Sequence, residues 1–490
     1  MSRPIIRLLF ATLAPVALAG CVTGQQIDQY SAPDAGFSTV STTTGQAIGK
    51  QTVWAQNKDD AQALAVRVHA LVHKKTINAD TAVQVALLNN KGLQAAYAEM
   101  GLSAAEAWQQ TMLPNPKVSI GIFGIASPEL GAYRSIEGLI AANILALATR
   151  RSRVAIADTR FRQAQLTAVL ETLRLATETR QAWINAVGAF ETTVYFNQAQ
   201  NAADAASELA QKLGESGAMP KGNQAREHAF YAELSGQKAQ ARLAARLAKE
   251  KLTRLMGLWG VDVDYYVPDY LPRLPASVAR RNAIETEALQ RRVDLQIARL
   301  ELQAVAQSHG LTVATRYVTD LEIIGGFESE RERDEDGGRK TVTTLQAELE
   351  FVIPIFDSGE ARQRKGELAY MRAANKLAEK AVNVRSEARS AYMAYTATHA
   401  IARHYQNSVL PLRTGIEEES LLTYNGMITN TFELLADTRA KISTLLQSVA
   451  AKRDFWLADA NLLASTYGGG AGAAAGDGEA MALADSGGGH

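Results

Sequence analysis

The feature that most constrains this chain is a pattern that occurs twice. "LALATRRSRVAIA" around Arg153 is followed 209 residues later by "PIFDSGEARQRKG" around Arg362. A glycine interrupts helical sequence at Gly217 ("GESGAMP") and again, 209 residues on, at Gly426 ("TYNGMIT"). Upstream, "LQAAYAEMGLSAA" from Leu93 pairs with "LQIARLELQAVAQ" from Leu295 at a spacing of 202. The growth in spacing puts extra residues in the second copy between Leu295 and Arg362. The charged run "ERERDEDGGRK" (330–340) lies in that interval and marks a longer loop.

Each copy predicts the same order. A helix (about 79–113 and 280–315) leads into a non-helical stretch. A very long helix follows (about 148–214 and 357–424). After the glycine comes a shorter one (about 222–257 and 429–467). A helix of roughly 67 residues rises about 100 Å at 1.5 Å per residue. It cannot wrap a small globular core, so it must lie along other helices as a coiled coil or α-barrel.

The non-helical stretches read as strands. In "LQAELEFVIP", Leu345, Ala347, Leu349, Phe351 and Ile353 share one face, and Gln346, Glu348 and Glu350 share the other. That is period two, with Val352 as the exception. Shifted back by 209, the apolar face carries Ile136, Gly138, Ile140, Ala142 and Ile144. The partner strands are "KVSIGIFGI" from Lys117 and "YVTDLEIIGGF" from Tyr317. The expected spans are about 117–125, 134–145, 317–328 and 342–354. Each approaches the roughly 9 to 11 residues of a transmembrane β-strand.

Four strands cannot close a barrel, since the smallest need about eight. Open edges are intolerable in lipid. The chain must therefore combine strands with copies of itself. Three copies give twelve strands, and two copies giving eight also satisfy the arithmetic. Pro114, Asn115, Pro116 and Pro354 mark the helix–strand junctions, because proline lacks an N–H and fixes φ.

The N-terminus reads as a secretory signal over residues 1–20. Arg3 and Arg7 precede an apolar run, Leu8 to Ala19, too short to span a bilayer. Leu18-Ala19-Gly20-Cys21 resembles a bacterial lipobox, and Cys21 is the only cysteine of the chain. It cannot form an intramolecular disulfide. The resemblance implies that Cys21 carries lipid and becomes the mature N-terminus; an ordinary signal peptide with an incidental cysteine is the alternative. Val22 follows instead of aspartate, which favours the outer membrane. Several acyl chains, at about 0.8 kcal/mol per buried CH₂, anchor firmly. Residues 21–60 are rich in Ser, Thr, Gln and Gly and read as an extended polar segment. The first repeat then spans 61–270 and the second 271–467. A Gly- and Ala-rich tail, 468–490, reads as disordered.

Composition adds exclusions. There are 51 basic and 51 acidic residues, so no basic surplus points to nucleic acid. No apolar run after the signal is long enough for a membrane helix. A membrane-inserted mature chain would have to enter as a barrel.

Three segments together carry a resemblance to the TolC-like outer-membrane efflux factors. They are "ALLNNKGLQAAYAEMGLSAAEAWQQTMLPNPKVSIG" (86–121), "FVIPIFDSGEARQRK" (351–365) and "YNGMITNTFELLADTRAKI" (424–442). The first, with Leu113-Pro114-Asn115-Pro116 entering a strand, is most similar to the heavy-metal branch. The resemblance implies a mainly α protein with a β-barrel portion. It would be a homotrimer whose four strands per protomer complete a twelve-stranded barrel above a long helical tunnel. The implied partners are outer-membrane lipid, a periplasmic adaptor and an inner-membrane pump, and the implied cargo is heavy-metal cations. A conduit for drugs and other organic compounds is the alternative cargo reading.

The resemblance also assigns positions. Gly217, Ala218, Met219, Gly426, Met427 and Ile428 would form tips that meet the adaptor, and glycine suits such turns because it adopts positive φ as a helix C-cap. Glu433 would belong to an acidic constriction at the periplasmic gate. The second acid of that constriction falls on Ala436, with Asp437 one position later. Tripled carboxylates near one axis would focus negative potential. On the polar strand face, Glu137, Asp320, Glu322, Glu348 and Glu350 would line the barrel lumen. Lumens are polar by default, but that does not explain why so many of these residues are acidic.

His69 and His73 stand four apart on a helix, a spacing compatible with a divalent metal. No third ligand is evident, so no metal site and no cofactor is assigned. The tail glycines lack the lysine and the strand–helix setting of a phosphate loop. No nucleophile–base signature or nucleotide fingerprint is present, so the chain reads as a non-enzyme. A structural coiled-coil lipoprotein would explain the long helices and Cys21 but not two matched strand pairs. A periplasmic enzyme would leave the repeat unexplained.

Overall fold

The computed structural model describes residues 24–125, 133–217, 219–333, 339–426, 428 and 431–470. Cys21, Ala218 and Met427 lie outside them, as do residues 1–20, expected to be a signal, and most of the Gly-rich tail. In chain order the elements before the first strand pair are α1 (Gly24–Ser31), α2 (Phe37–Ile48), α3 (Lys58–Val72), α4 (Ala79–Asn89) and α5 (Lys91–Thr111). Then come β1 (Lys117–Phe123), β2 (Ser135–Asn143), α6 (Ile144–Ala148), α7 (Arg150–Glu215) and α8 (Lys221–Leu255). A 3₁₀ turn, Gly260–Val263, leads to α9 (Ile284–Arg291) and α10 (Val293–Ala314). The second strand pair is β3 (Leu321–Arg333) and β4 (Arg339–Phe351). The chain continues through α11 (Glu360–His404), a π-helical turn (Tyr405–Val409), α12 (Leu410–Asn425) and α13 (Thr431–Tyr467).

Several expectations need correction. Residues 21–60 are not simply extended, because α1 and α2 are helical. Polar composition is overridden by burial. The Tyr30 hydroxyl donates to Asp158 at 2.7 Å and its ring meets Phe161 edge-on, while Val40 and Thr44 of α2 are fully buried. Phe37 packs edge-on against Tyr97 at 5.1 Å.

The first helix of each copy is two helices. The chain turns extended at Asn90 (φ −65°, ψ 120°) and at Arg292 (φ −64°, ψ 120°), which stand 202 residues apart. Helical periodicity runs through both breaks, so the apolar pattern conceals them. Side-chain hydrogen bonds account for them. Asn90 Oδ1 accepts from Leu93 N–H at 3.0 Å, and Asn89 and Asn90 donate to the carbonyls of Leu255, Met256 and Gly257 at the end of α8. Those carbonyls are the ones a helix C-terminus leaves without partners. Arg292, almost fully buried, donates twice to Asp294 and once to Glu387.

The chain divides into two units. The first takes Met1–Gly36, Glu99–Gln165 and Ile297–Glu379 and holds the sheet. Its helical part buries Ala104, Ala107, Val154 and Ala304. Thr159 Oγ1 donates to Gln307 Oε1 at 3.0 Å. Beside the sheet the Arg150 guanidinium donates to the Thr111 carbonyl.

The second unit takes Phe37–Ala98, Leu166–Gln296 and Lys380–His490. Its core forms where α4 meets α7. Val83, Leu87 and Leu88 are essentially fully buried, as are Ala186 and Val187. The buried Trp183 donates its indole N–H to the Ile77 carbonyl at 3.0 Å, so the polar tip of a large apolar ring is satisfied. A cluster of Ile284, Ala288, Val384, Ala388 and Leu462 joins α9, α11 and α13. Phe196, Ala199 and Ala203 of α7 pack on Leu234 of α8. Small residues at helical spacing let these helices approach closely along their lengths.

Candidate membrane sheet and helical tips

The four strands form one antiparallel sheet in the order β1-β2-β3-β4. β1 and β4 are its edges, each with one side bonded to no other strand among the described residues. The bounds differ from the periodicity estimate mainly in the second pair. β3 and β4 are 13 residues each, against 7 and 9 for β1 and β2. The extra length comes from "ESERER" and "RKTV", where period-two alternation continues with charged and hydroxyl residues in place of apolar ones.

The register sorts the two faces. Glu137 pairs with Glu328, Glu322 with Glu350, and Ile324 with Glu348. Residues directly opposite one another share a face, so Glu137, Glu322, Glu348 and Glu350 stand on the same side. Asp320 precedes β3 in the same parity and accepts from Asn143 Nδ2 at 2.8 Å. All five acids singled out from the sequence are therefore brought together.

Glu328 belongs to the same face and was missed. The alternation in "FESERER" carried that signal beyond the apolar part of the strand. Two carboxylate pairs thus face each other directly, an arrangement that costs stability. Polar neighbours offset it. Lys117 Nζ donates to Glu322 Oε1 at 2.8 Å, and Gln346 Nε2 donates to Glu137 Oε1 at 2.9 Å. Gln346 and Glu137 are 209 residues apart, so each meets the residue at its own position in the other copy. They reach one another across Gly326, where any Cβ would strike the Gly138 carbonyl.

The opposite face carries Val118, Ile120, Ile122, Ile140, Ile323, Phe327, Leu345, Leu349 and Phe351 and is bare. Ile120 is 74% exposed and Leu345 88%. Phe327 lies across from Gly138, with its ring where a side chain would stand. A contiguous apolar face of this kind is not tolerated by water and marks contact with lipid or protein. Among the described residues no helix is long and apolar enough to cross a membrane.

At the first tip α7 ends at Glu215, and Gly217 takes φ +75°. Met219 N–H donates to the Leu213 carbonyl at 3.0 Å and closes the turn. At the second tip Gly426 has φ −77° and ψ 2°, so the positive φ expected there is not used. Its N–H donates to the Leu422 carbonyl and that of Ile428 to the Thr423 carbonyl, both at 2.9 Å. These backbone bonds close the turn within the ordinary conformational range. Ile428 is 79% exposed.

The two gate candidates differ. Glu433 is exposed in the first turn of α13. Asp437 accepts a hydrogen bond from Ser420 of α12, which ties it to the neighbouring helix. The sequence reading also missed a pair between the copies. Arg439 of α13 donates to both oxygens of Glu227 of α8 at 3.0 Å and lies over the Phe230 ring at 4.1 Å. Glu227 is nearly fully buried, and a buried acid needs such a partner. Only the register between helices brings these residues together.

His69 and His73 gain what the sequence lacked. Asp262 lies 2.6 Å from His69 Nδ1, although 193 residues separate the two in the chain.

No family model and no curated protein sequence matches the chain. Solved structures do. The outer membrane channel CmeC of Campylobacter jejuni superposes with a TM-score of 0.66 at 18% identity, covering 88% of this chain and 92% of that one. CusC, described for its folding and transmembrane channel formation, gives 0.65 at 15% identity over 80% and 92%. The open state of the outer membrane channel MtrE of Neisseria gonorrhoeae gives 0.62 at 15% over 80% and 89%. The chain has the TolC-like outer-membrane channel fold. Within that fold the four-stranded sheet and the paired helical tips correspond to the elements that the repeat predicts.

Proposed function

We propose that the protein is the outer-membrane duct of a tripartite efflux system. Three copies each contribute four strands to a twelve-stranded barrel, with the bare apolar face toward lipid and the acidic face toward the lumen. One observation carries this reading: a sheet with an exposed apolar face, a polar face rich in carboxylate and two open edges. Such a sheet is stable in a membrane only when closed. Cys21 carries lipid and anchors the chain at the same membrane. The tips (Gly217, Ala218, Met219, Gly426, Met427 and Ile428) meet a periplasmic adaptor and through it an inner-membrane pump. Glu433 and Asp437 line the periplasmic constriction.

Heavy-metal cations are the proposed cargo. Support comes from the similarity of residues 86–121 to the heavy-metal branch and from the carboxylates of the sheet.

The membrane reading is tested by charge insertion on each face. Ile120→Asp and Leu345→Asp should abolish outer-membrane insertion of a detergent-extracted trimer, whereas Ser119→Asp on the opposite face should be tolerated. A monomeric, water-soluble protein indifferent to all three would overturn it. Cargo is tested by comparing a clean deletion with the parent strain across divalent metals and organic antimicrobials. Sensitivity confined to metals supports the proposal, and sensitivity to organic compounds alone replaces it with a general conduit.

A further inference from the structure

We infer that His69, His73 and Asp262 form a binding site for one divalent first-row transition metal ion, of the zinc class. The inference does not draw on the efflux reading. One ligand atom from each residue lies within 4.8 Å of the others. The two imidazoles are stacked, with centroids 4.5 Å apart and planes at 21°. His69 is in the last turn of α3 and His73 caps it, so one helix end presents both rings together. Two imidazoles and a carboxylate, with remaining positions open to water, form a familiar donor set for zinc. The cluster is partly exposed, so water can complete the coordination.

The orientation of one ring supports the assignment. His73 Nδ1 is 3.2 Å from the Val261 carbonyl oxygen, which can only accept. That ring nitrogen therefore carries the proton, and Nε2 of the neutral ring keeps its lone pair. Metal-binding histidines are commonly held this way, with the second nitrogen donating to a backbone carbonyl. Tetrahedral ligation at bonds of about 2.05 Å separates ligand atoms by roughly 3.3 Å. The 2.6 Å contact between His69 and Asp262 must open to reach that spacing, and the rings must draw in from the 4.8 Å limit. The stacked rings must also turn so that their in-plane lone pairs converge on one point, and all three changes are rotations about side-chain bonds.

The backbone around the cluster is fixed. Lys74 follows His73 at φ +54°, the only positive φ outside glycine among the described residues. Its N–H donates to the Asp264 carbonyl at 2.7 Å, which holds that conformation. Ile77 and Tyr266 extend the pairing: Tyr266 N–H donates to the Lys75 carbonyl and Ile77 N–H to the Tyr266 carbonyl, both at 2.9 Å. Tyr265 between them is fully buried, with its hydroxyl 2.8 Å from Thr253 Oγ1. Ligands on so constrained a frame need little ordering when an ion arrives. A bound ion would staple α3, at the start of the first repeat, to the 3₁₀ turn Gly260–Val263 near its end.

The test uses the untagged protein, purified in detergent, stripped with a chelator and dialysed. Titration with ZnCl₂ by isothermal calorimetry should show one ion per chain that His69→Gln or His73→Gln weakens at least tenfold and Asp262→Asn weakens less. Mg²⁺ should not compete, because imidazole does not suit it. Zn²⁺ should also raise the thermal midpoint of the parent protein, by mass action, and at the same concentration raise that of His69→Gln less. Superimposable titrations for parent and variants would overturn the site, as would equal competition by Mg²⁺.

Discussion

In the first copy of the repeat, the helix after the strand pair runs unbroken from Arg150 to Glu215, 66 residues. In the second, α11 gives way at Tyr405–Val409 to a π-helical turn before α12 resumes. The difference traces to one residue. Pro411 enters the first turn of α12 and cannot donate to the carbonyl four residues back. The helix answers by widening, and Leu410 N–H donates to the Tyr405 carbonyl, five residues back. Alanine, at position 202, stands at the corresponding place in the first copy. Two copies of one plan thus hold a regular and an interrupted version of the same helix. The interruption lies in the arm that leads to Gly426, Glu433 and Asp437.

The sharpest way to break this comparison is to exchange the residues. Ala202→Pro should lower stability by about 3 kcal/mol or more, as proline does inside a regular helix. Pro411→Ala should not lower it, because the restored amide finds a helical acceptor. Thermal melts followed by circular dichroism decide this, and equal tolerance of both substitutions would remove the proposed cause of the π turn.

The tips offer a smaller contrast with a change of sign. Gly217→Ala forces a side chain into φ +75° and should cost about 1 kcal/mol, although nothing crowds the new methyl. Gly426→Ala meets only ordinary contacts, the nearest at 3.5 Å, on a permitted backbone. It should gain about 0.4–1 kcal/mol by restricting the unfolded chain. If both substitutions destabilise alike, the two turns are not conformationally distinct.

The smallest effect concerns Glu250 and Asp459, again 209 residues apart. Glu250 is exposed, whereas burial raises the Asp459 pKa above 3.8, an effect that the charges of Arg180 and Arg281 only partly oppose. A carboxyl with a raised folded pKa keeps more of its proton in the folded state. Its contribution is full below the unfolded value and declines as pH rises through the folded one. Asp459→Asn should therefore match the parent below about pH 3.8 and surpass it slightly at neutral pH. Melting midpoints across pH 3–8 read this directly, and an Asp459→Asn protein less stable at neutral pH would reverse the assignment.

Much of the architecture is legible without coordinates because it repeats. The spacing of 209 survives in contacts as well as in sequence: Gln346 meets Glu137, and Arg439 lies over Phe230. Period two placed five acids on one strand face, since alternation is a property of the strand itself. What periodicity could not reveal are breaks that keep the apolar pattern, such as Asn90 and Arg292. The helices α1 and α2 were also hidden, because their stability comes from packing and not from composition.

The chain alone therefore determined the duplication, the long helices, the two-faced strands and the places where helices turn. All of these depend on local periodicity, on proline or on glycine. Tertiary structure alone decided which distant residues meet: Glu227 with Arg439, Glu137 with Gln346, and Asp262 with the histidine pair. Those meetings depend on register between elements some two hundred residues apart, and register is set by packing that no local pattern records.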